Sequence, residues 1–172
     1  MFRTLLSGLR PPLSEPPVPE PELAALGAQL DAAVRRRLGR SLSIRAVDAG
    51  SCNGCELELH ALGNAFYDLE RFGLRFVASP RHADVLMVTG PVTWHMREAL
   101  VRTCAATPDP KWVVAVGDCG AGCGVFAASP ACVGSVARVV PVDLTIPGCP
   151  PPPARLLAGL LALLDEPAGK RG

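Results

Sequence analysis

The sequence predicts an α/β fold, in which a parallel β-sheet is flanked by helices. The first observation is that short apolar runs of strand length alternate with stretches of helical periodicity. The second is composition: 49% of the 172 residues are hydrophobic but only 5% are aromatic, so the apolar content is mainly Ala, Val and Leu. The length suits one domain with a sizeable core, plus a tail.

The chain begins with a segment outside the predicted sheet. Residues 1–9 are apolar but short, and we interpret them as an amphipathic anchor, a docking segment or a disordered start. Six prolines in residues 11–21 predict a polyproline-like linker or an arm lying on a partner. In 22–38, leucine and valine recur at three- and four-residue steps, which predicts a helix that ends at Gly39.

The remaining elements alternate. Apolar runs predict five strands, at Leu42–Val47, Leu74–Val77, Val85–Thr89, Trp112–Val116 and Arg138–Val142. Helical periodicity predicts three further helices, at Gly54–Asn64, Val92–Thr103 and Pro153–Leu164. We therefore divide the chain into an arm, linker and helix at 1–40, an α/β domain at 41–166 and a tail at 167–172.

Charge, hydropathy and cysteine count limit the classes of function that the sequence is compatible with. The formal net charge is +1, which gives no electrostatic reason to expect nucleic acid as a partner. No apolar run reaches the roughly 18–20 residues that cross a bilayer. The seven cysteines are an odd number in a chain without an export signal, so metal or redox chemistry is favoured over a disulfide framework.

Four cysteines follow predicted strands. Cys52 and Cys55 lie after the first strand, Cys119 after the fourth and Cys149 after the fifth. The carboxyl ends of parallel strands form one edge of a sheet, where ligands of open α/β sheets bind. Four thiolates are the ligand set of a [4Fe–4S] cluster, and the neighbouring glycines let backbone approach its sulfides.

The cysteine pattern alone is also compatible with other kinds of metal or redox site. Four thiolates also make a tetrahedral zinc site, although structural zinc sites usually have two tight C-x-x-C pairs. A lone C-x-x-C also occurs in thioredoxin-like redox pairs. Here the third and fourth cysteines are isolated and widely separated, which favours a cluster over zinc.

These motifs resemble a known family. Cys52-Asn53-Gly54-Cys55, Gly117-Asp118-Cys119 and Pro147-Gly148-Cys149-Pro150-Pro151 are similar to the B (PSST-type, 20 kDa) subunit of NADH:quinone oxidoreductase and the small subunit of group 4, membrane-bound NiFe hydrogenases, formate hydrogenlyase included. The resemblance runs from about Leu42 to Leu164 and includes residues 67–73, 78–81 and 84–90.

The resemblance implies a flavodoxin-like domain that holds one [4Fe–4S] cluster on Cys52, Cys55, Cys119 and Cys149. It implies an electron-transfer subunit that relays electrons to or from the NiFe site of a large subunit. The implied partners are that large subunit, a ferredoxin-like cluster subunit and membrane subunits, on the cytoplasmic side of the inner membrane. The alternatives are a complex I-like subunit that passes electrons to quinone and, from another class, a zinc-stabilised binding module.

Two departures distinguish the branches of the family. The complex I subunit has adjacent cysteines at the first site, whereas Cys52 and Cys55 follow the hydrogenase pattern. Cys123 stands where the family usually has glycine, so it is either a spare thiol or a competitor of Cys119. Glu56 matches an acidic position of both branches, and we consider it equally as a helix-dipole partner and as a proton relay.

Overall fold

The computed structural model describes residues 21–165 and contains a five-stranded parallel sheet between two layers of helices. The predictions for residues 1–20 and 167–172 lie outside the described residues. The five strands are β1 (Leu42–Asp48), β2 (Leu74–Phe76), β3 (Val85–Thr89), β5 (Trp112–Val116) and β7 (Leu144–Ile146). Their order, β2-β1-β3-β5-β7, is that of flavodoxin-like sheets, which confirms the predicted α/β class.

The sheet is built from apolar runs that are covered on both faces. Every residue of β3 and β5 is buried, which is typical of central strands in a parallel sheet. Two short strands that the sequence did not predict, β4 (Val92–Thr93) and β6 (Cys132–Gly134), pair antiparallel beside the main sheet. They tie the start of one helix to the loop that follows Cys119 and Cys123.

Five α-helices surround the sheet in the described part of the chain: α1 (Pro21–Leu38), α2 (Gly54–Ala61), α3 (Trp94–Ala106), α4 (Gly117–Ala121) and α5 (Pro153–Asp165). Gly39 has φ +65° and its N–H donates to Arg35 O, so it ends α1 as predicted. The Thr93 side chain accepts from Met96 N at the start of α3, so this helix begins two residues later than predicted.

The predicted strand Arg138–Val142 is wrong. Residues 136–138 form a short 3-10 turn, and the fifth strand is Leu144–Ile146. Pro141 removes a backbone donor in the middle of the predicted run, which disfavours a strand there. Asp143 fixes the start of the true strand instead: its N–H donates to Val113 O, and its side chain accepts from Val113 N at 2.7 Å.

The core has two parts, one on each face of the sheet. Helices α1, α2 and α5 cover one face, where Leu30, Leu59 and Leu156 are almost fully buried. Helix α3 covers the other face through Leu100. Residues of α1 therefore share the core of the sheet, since Ala33 and Val34 are buried with α5 and the strands.

Helix α5 offers a direct test of this core. Leu156→Ala is expected to lower the free energy of unfolding by about 3 kcal/mol, because the fully buried side chain would leave a cavity. Leu161→Ala, the same substitution at a half-buried position of the same helix, is expected to cost about 1 kcal/mol. Denaturant unfolding followed by circular dichroism measures both, and equal losses would contradict this assignment of the packed face.

Candidate functional site

The four cysteines lie at the carboxyl edge of the sheet, on three different loops. Cys52 is in the loop after β1 and Cys55 is in the first turn of α2. Cys119 is in α4, directly after β5, and Cys149 follows β7. Although the fifth strand differs from the predicted one, Cys149 still follows a carboxyl end. Cys55 and Cys119 are buried, whereas Cys52 and Cys149 are exposed.

Glycines bring the three loops into close contact. A Cβ atom placed on Gly117 would lie 2.7 Å from Cys55 Sγ and 3.2 Å from Gly148 O, so only glycine fits there without displacing its neighbours. A Cβ on Gly54 would lie 3.6 Å from Cys52 Sγ and 3.9 Å from Pro150 Cβ. These contacts show that the Cys52/Cys55 segment borders both the Cys119 loop and the Cys149 loop.

Asp118 joins the second and third loops. Its side chain accepts a hydrogen bond from Gly148 N at 2.8 Å, and its own N–H donates to Gly148 O at 2.9 Å. Its carbonyl oxygen accepts from Cys123 N at 2.9 Å. The residue beside Cys119 therefore fixes the residue beside Cys149 from two sides.

The four thiols interact electrostatically. The pKa of Cys55 is raised to about 12, first by burial and then by negative charge on Glu56, Cys119, Cys52 and Cys149. The pKa of Cys119 is also raised, again mainly by burial, with contributions from two of the other sulfurs. Burial and neighbouring negative charge thus disfavour the thiolates of Cys55 and Cys119, and a bound cation would offset this cost.

Glu56 lies next to Cys55 in the first turn of α2. Its Oε2 accepts a hydrogen bond from the Ser51 hydroxyl. Its Oε1 is buried and has no hydrogen-bond partner among the described residues. An unpaired buried carboxylate oxygen is costly, so this atom is a candidate partner for an ordered water.

The other cysteines lie elsewhere. Cys123 is exposed, and its thiol is 3.5 Å from Asp118 O. Cys104 in α3 is half-buried and packs against the second core, and Cys132 is half-buried in β6. Among residues 21–165, no three His, Cys, Asp or Glu side chains lie close enough together to hold a single metal ion.

Apolar side chains flank the cysteines at the surface. Leu57 is 61% exposed in α2, and Val125 and Phe126, which follow Cys123, are 79% and 41% exposed. Sequence reasoning did not single out these residues or the bonds of Asp118. The only advance signal was their position beside the cysteine motifs.

The Asp118 bonds predict a graded effect on this site. Asp118→Ala removes the acceptor for Gly148 N and is expected to lower the free energy of unfolding by about 1–2 kcal/mol, because the Cys149 loop is less restrained. Asp118→Asn keeps a side-chain carbonyl oxygen and is expected to behave nearly as the unaltered chain. Denaturant unfolding followed by circular dichroism measures the three stabilities, and equal values would contradict the prediction.

The described part of the chain contains no helix that is both long and apolar enough to cross a membrane. Its fold is similar to that of a chain in the archaeal membrane-bound sulfane sulfur reductase, a respiratory membrane complex, with a TM-score of 0.66, 33% identity and coverage of 80% of this chain and 74% of that one. The fold also matches a chain of an NAD+-reducing [NiFe]-hydrogenase, with a TM-score of 0.58, 20% identity and coverage of 73% and 92%.

Two curated relatives are subunits of hydrogen-metabolising complexes by name. A probable membrane-bound hydrogenase subunit of Pyrococcus furiosus is 47% identical over 75% of this chain and 77% of its own length. Formate hydrogenlyase subunit 7 of Escherichia coli is 43% identical over 84% of this chain, which spans 58% of that relative's length.

A family model matches the segment that contains all four cysteines. The model is that of the NADH ubiquinone oxidoreductase 20 kDa subunit, and it covers residues 52–163. The match spans more than half of the chain, and the two curated relatives are 47% and 43% identical to it. This chain therefore belongs to the NADH:ubiquinone oxidoreductase 20 kDa subunit family.

Proposed function

We propose that this chain holds one [4Fe–4S] cluster on Cys52, Cys55, Cys119 and Cys149 and relays electrons between it and the NiFe site of a hydrogenase large subunit. The observation that carries the proposal is the meeting of three cysteine loops at one edge of the sheet, with Gly117 against the Cys55 sulfur. When bound, such a cluster accepts and returns one electron at a time.

The donor set and its surroundings fit this group. A [4Fe–4S] cube takes one thiolate on each of four irons, so its ligands need not crowd around one atom. The buried Cys55 and Cys119 would hold the inner side, and the exposed Cys52 and Cys149 the outer side. Gly117 and Gly148, at φ +82° and +143°, give the loops a close backbone approach that a Cβ would block.

The surface beside the cysteines supports docking of a large subunit. The exposed Leu57, Val125 and Phe126 flank the edge at which the two outer cysteines lie. Apolar and aromatic side chains are enriched at the centres of protein interfaces. A partner that covers them would bring its redox centre close to the cluster, and further cluster and membrane subunits would complete the complex.

The hydrogenase branch is favoured over the quinone-reducing branch. Two residues separate Cys52 from Cys55, as in the hydrogenase pattern, and the two named hydrogenase relatives are 47% and 43% identical. The second candidate, a complex I-like subunit that delivers electrons to quinone, is supported by the family model itself.

In either case we propose that the chain lies at the periphery of the membrane, on its cytoplasmic side. Protection of the chain from added protease in membrane vesicles of known orientation tests this position.

Purification of the native complex tests the proposal. Stoichiometric iron and acid-labile sulfide, with a low-temperature EPR signal of a reduced [4Fe–4S] cluster, are the expected results. Colourless protein with one zinc would overturn the cluster in favour of the zinc-stabilised module. Stoichiometric nickel in the large subunit would eliminate the quinone branch, and its absence together with quinone reduction would eliminate the hydrogenase branch.

Glu56 is proposed as a proton relay beside the cluster, because one of its carboxylate oxygens is buried without a hydrogen-bond partner in the described part of the chain. Glu56→Gln keeps an acceptor for Ser51 but cannot exchange a proton at neutral pH. We expect proton-coupled turnover to fall by about tenfold or more while the EPR intensity stays unchanged. Unchanged turnover over the whole pH range would leave Glu56 with the helix-dipole role alone.

A further inference from the structure

A cleft of about 320 Å³ lies at the amino-terminal edge of the sheet, opposite the cysteines. Its walls include the charged or titratable side chains Arg40, Arg75, Arg81, His82 and Asp84. These residues precede β1, lie in β2 and precede β3. Because β3 is five residues long, the cleft is about 16 Å along the strand from the cysteine edge.

The one carboxylate among these wall residues is already satisfied. Asp84 is only 7% exposed, and its two oxygens accept hydrogen bonds from Arg40 at 2.9 and 2.6 Å. One of those oxygens also accepts from Ser43 N at 2.9 Å. Asp84 therefore neutralises Arg40 and presents little free negative charge to a ligand in the cleft.

The other cations retain unused donors. Arg75 Nε donates to Ser43 Oγ at 3.2 Å, which leaves the two terminal nitrogens of its guanidinium without a partner among the described residues. The side chains of Arg81 and His82 are exposed and form no hydrogen bond or ion pair within residues 21–165. The cleft thus combines an ordered wall, formed by Arg40, Asp84 and Ser43, with donors that lack an acceptor among the described residues.

A further buried donor lies on the same side of the sheet. Arg45 follows Ser43 by two residues in β1, so both side chains project from the same face. The Nε of Arg45 is buried and has no hydrogen-bond partner in the described part of the chain.

We propose that this cleft binds a phosphate group. Guanidinium forks match phosphate oxygens in bidentate geometry, and charge-assisted bonds of this kind are stronger than neutral ones. Arg75 and Arg81 are the direct donors, and the Arg40–Asp84 pair holds the wall in place. The phosphate is either that of an anionic phospholipid headgroup or a soluble phosphate, which share the same recognition chemistry.

Binding to the purified full chain distinguishes the two sources. Inorganic phosphate is titrated by calorimetry, and vesicles of phosphatidylcholine, with or without an equal part of phosphatidylglycerol, are tested by co-sedimentation. The cleft variant Arg75→Gln/Arg81→Gln is compared with Arg35→Gln/Arg102→Gln, which removes the same charge from exposed helical positions outside the cleft.

We expect the cleft variant to weaken binding by about tenfold or more and the control variant to bind as the unaltered chain. A loss confined to phosphatidylglycerol vesicles assigns the cleft to a lipid headgroup, and a loss that includes inorganic phosphate assigns it to phosphate itself. Equal losses in both variants, or no binding by the unaltered chain, would overturn the proposal.

A second measurement avoids substitution altogether. In the unaltered chain, inorganic phosphate is expected to slow the reaction of Arg75 and Arg81 with phenylglyoxal, but not that of Arg35, as followed by mass spectrometry. Absence of protection at saturating phosphate and at saturating phosphatidylglycerol vesicles would contradict the site. The EPR signal of the proposed cluster is measured in the same samples as an independent readout of the cysteine site, because the cleft and the cysteines lie at opposite edges of the sheet.

Discussion

Cys119→Ser is expected to abolish the EPR signal of the proposed [4Fe–4S] cluster in its reduced state, and to lower the iron content far below the roughly four iron atoms of a full cube. Cys119 is buried in the short helix after β5, and Gly124 packs directly against its sulfur. A serine oxygen at that position is a poorer ligand for iron and leaves one corner of the cube without its thiolate. Cys149→Ser is expected to give the same loss from the third loop.

The matched control is Cys123→Ser. This cysteine lies four residues from Cys119, but its thiol lies 3.5 Å from Asp118 O and is not among the sulfurs whose charge raises the pKa of Cys55 or Cys119. Its substitution is therefore expected to leave the iron content and EPR intensity unchanged. A full signal in both Cys119→Ser and Cys149→Ser would contradict the ligand assignment. A signal that survives in Cys119→Ser but disappears in the Cys119→Ser/Cys123→Ser double variant would show that Cys123 replaces Cys119 as the ligand.

The sequence was most informative where local pattern and burial agree. Residues of β3 and β5 read as continuous apolar runs, because both strands are covered on both faces, and their predicted bounds are confirmed. The fifth strand was misplaced because Val139 and Val140 are apolar yet precede Pro141. What fixes β7 is the pairing of Asp143 with Val113, thirty residues away, which no local pattern reveals.

In the candidate site, too, local sequence patterns could be predicted, whereas contacts between distant residues could not. The positions of the cysteines after strands could be predicted because parallel strands end at one edge. The bonds between Asp118 and Gly148 depend on the register of β5 against β7, so they became visible only in the structure. The phosphate-binding cleft was equally hidden, since Arg40, Arg75 and Arg81 are separated in sequence and share no motif.

Gly117→Ala is the second substitution expected to have a large effect, although it alters no ligand. Gly117 has φ +82°, a conformation that costs an alanine about 1–2 kcal/mol. The added methyl would also lie 2.7 Å from Cys55 Sγ and 3.2 Å from Gly148 O, and overpacking of this kind adds about 1–3 kcal/mol. We therefore expect the free energy of unfolding to fall by about 3 kcal/mol and most of the iron of the proposed cluster to be lost.

Gly39→Ala separates the two causes. Gly39 also has a left-handed backbone, with φ +65°, but a Cβ there would meet no atom of residues 21–165 within 4 Å. This variant is expected to lose about 1 kcal/mol and to keep its full iron content, because only the backbone cost applies. Denaturant unfolding and iron analysis of both variants measure the difference. If the two variants have equal stability and bind equal iron, the contact between Gly117 and the Cys55 sulfur is not what shapes the site. If only Gly117→Ala loses iron, the three loops must pack against each other for the proposed cluster to be held.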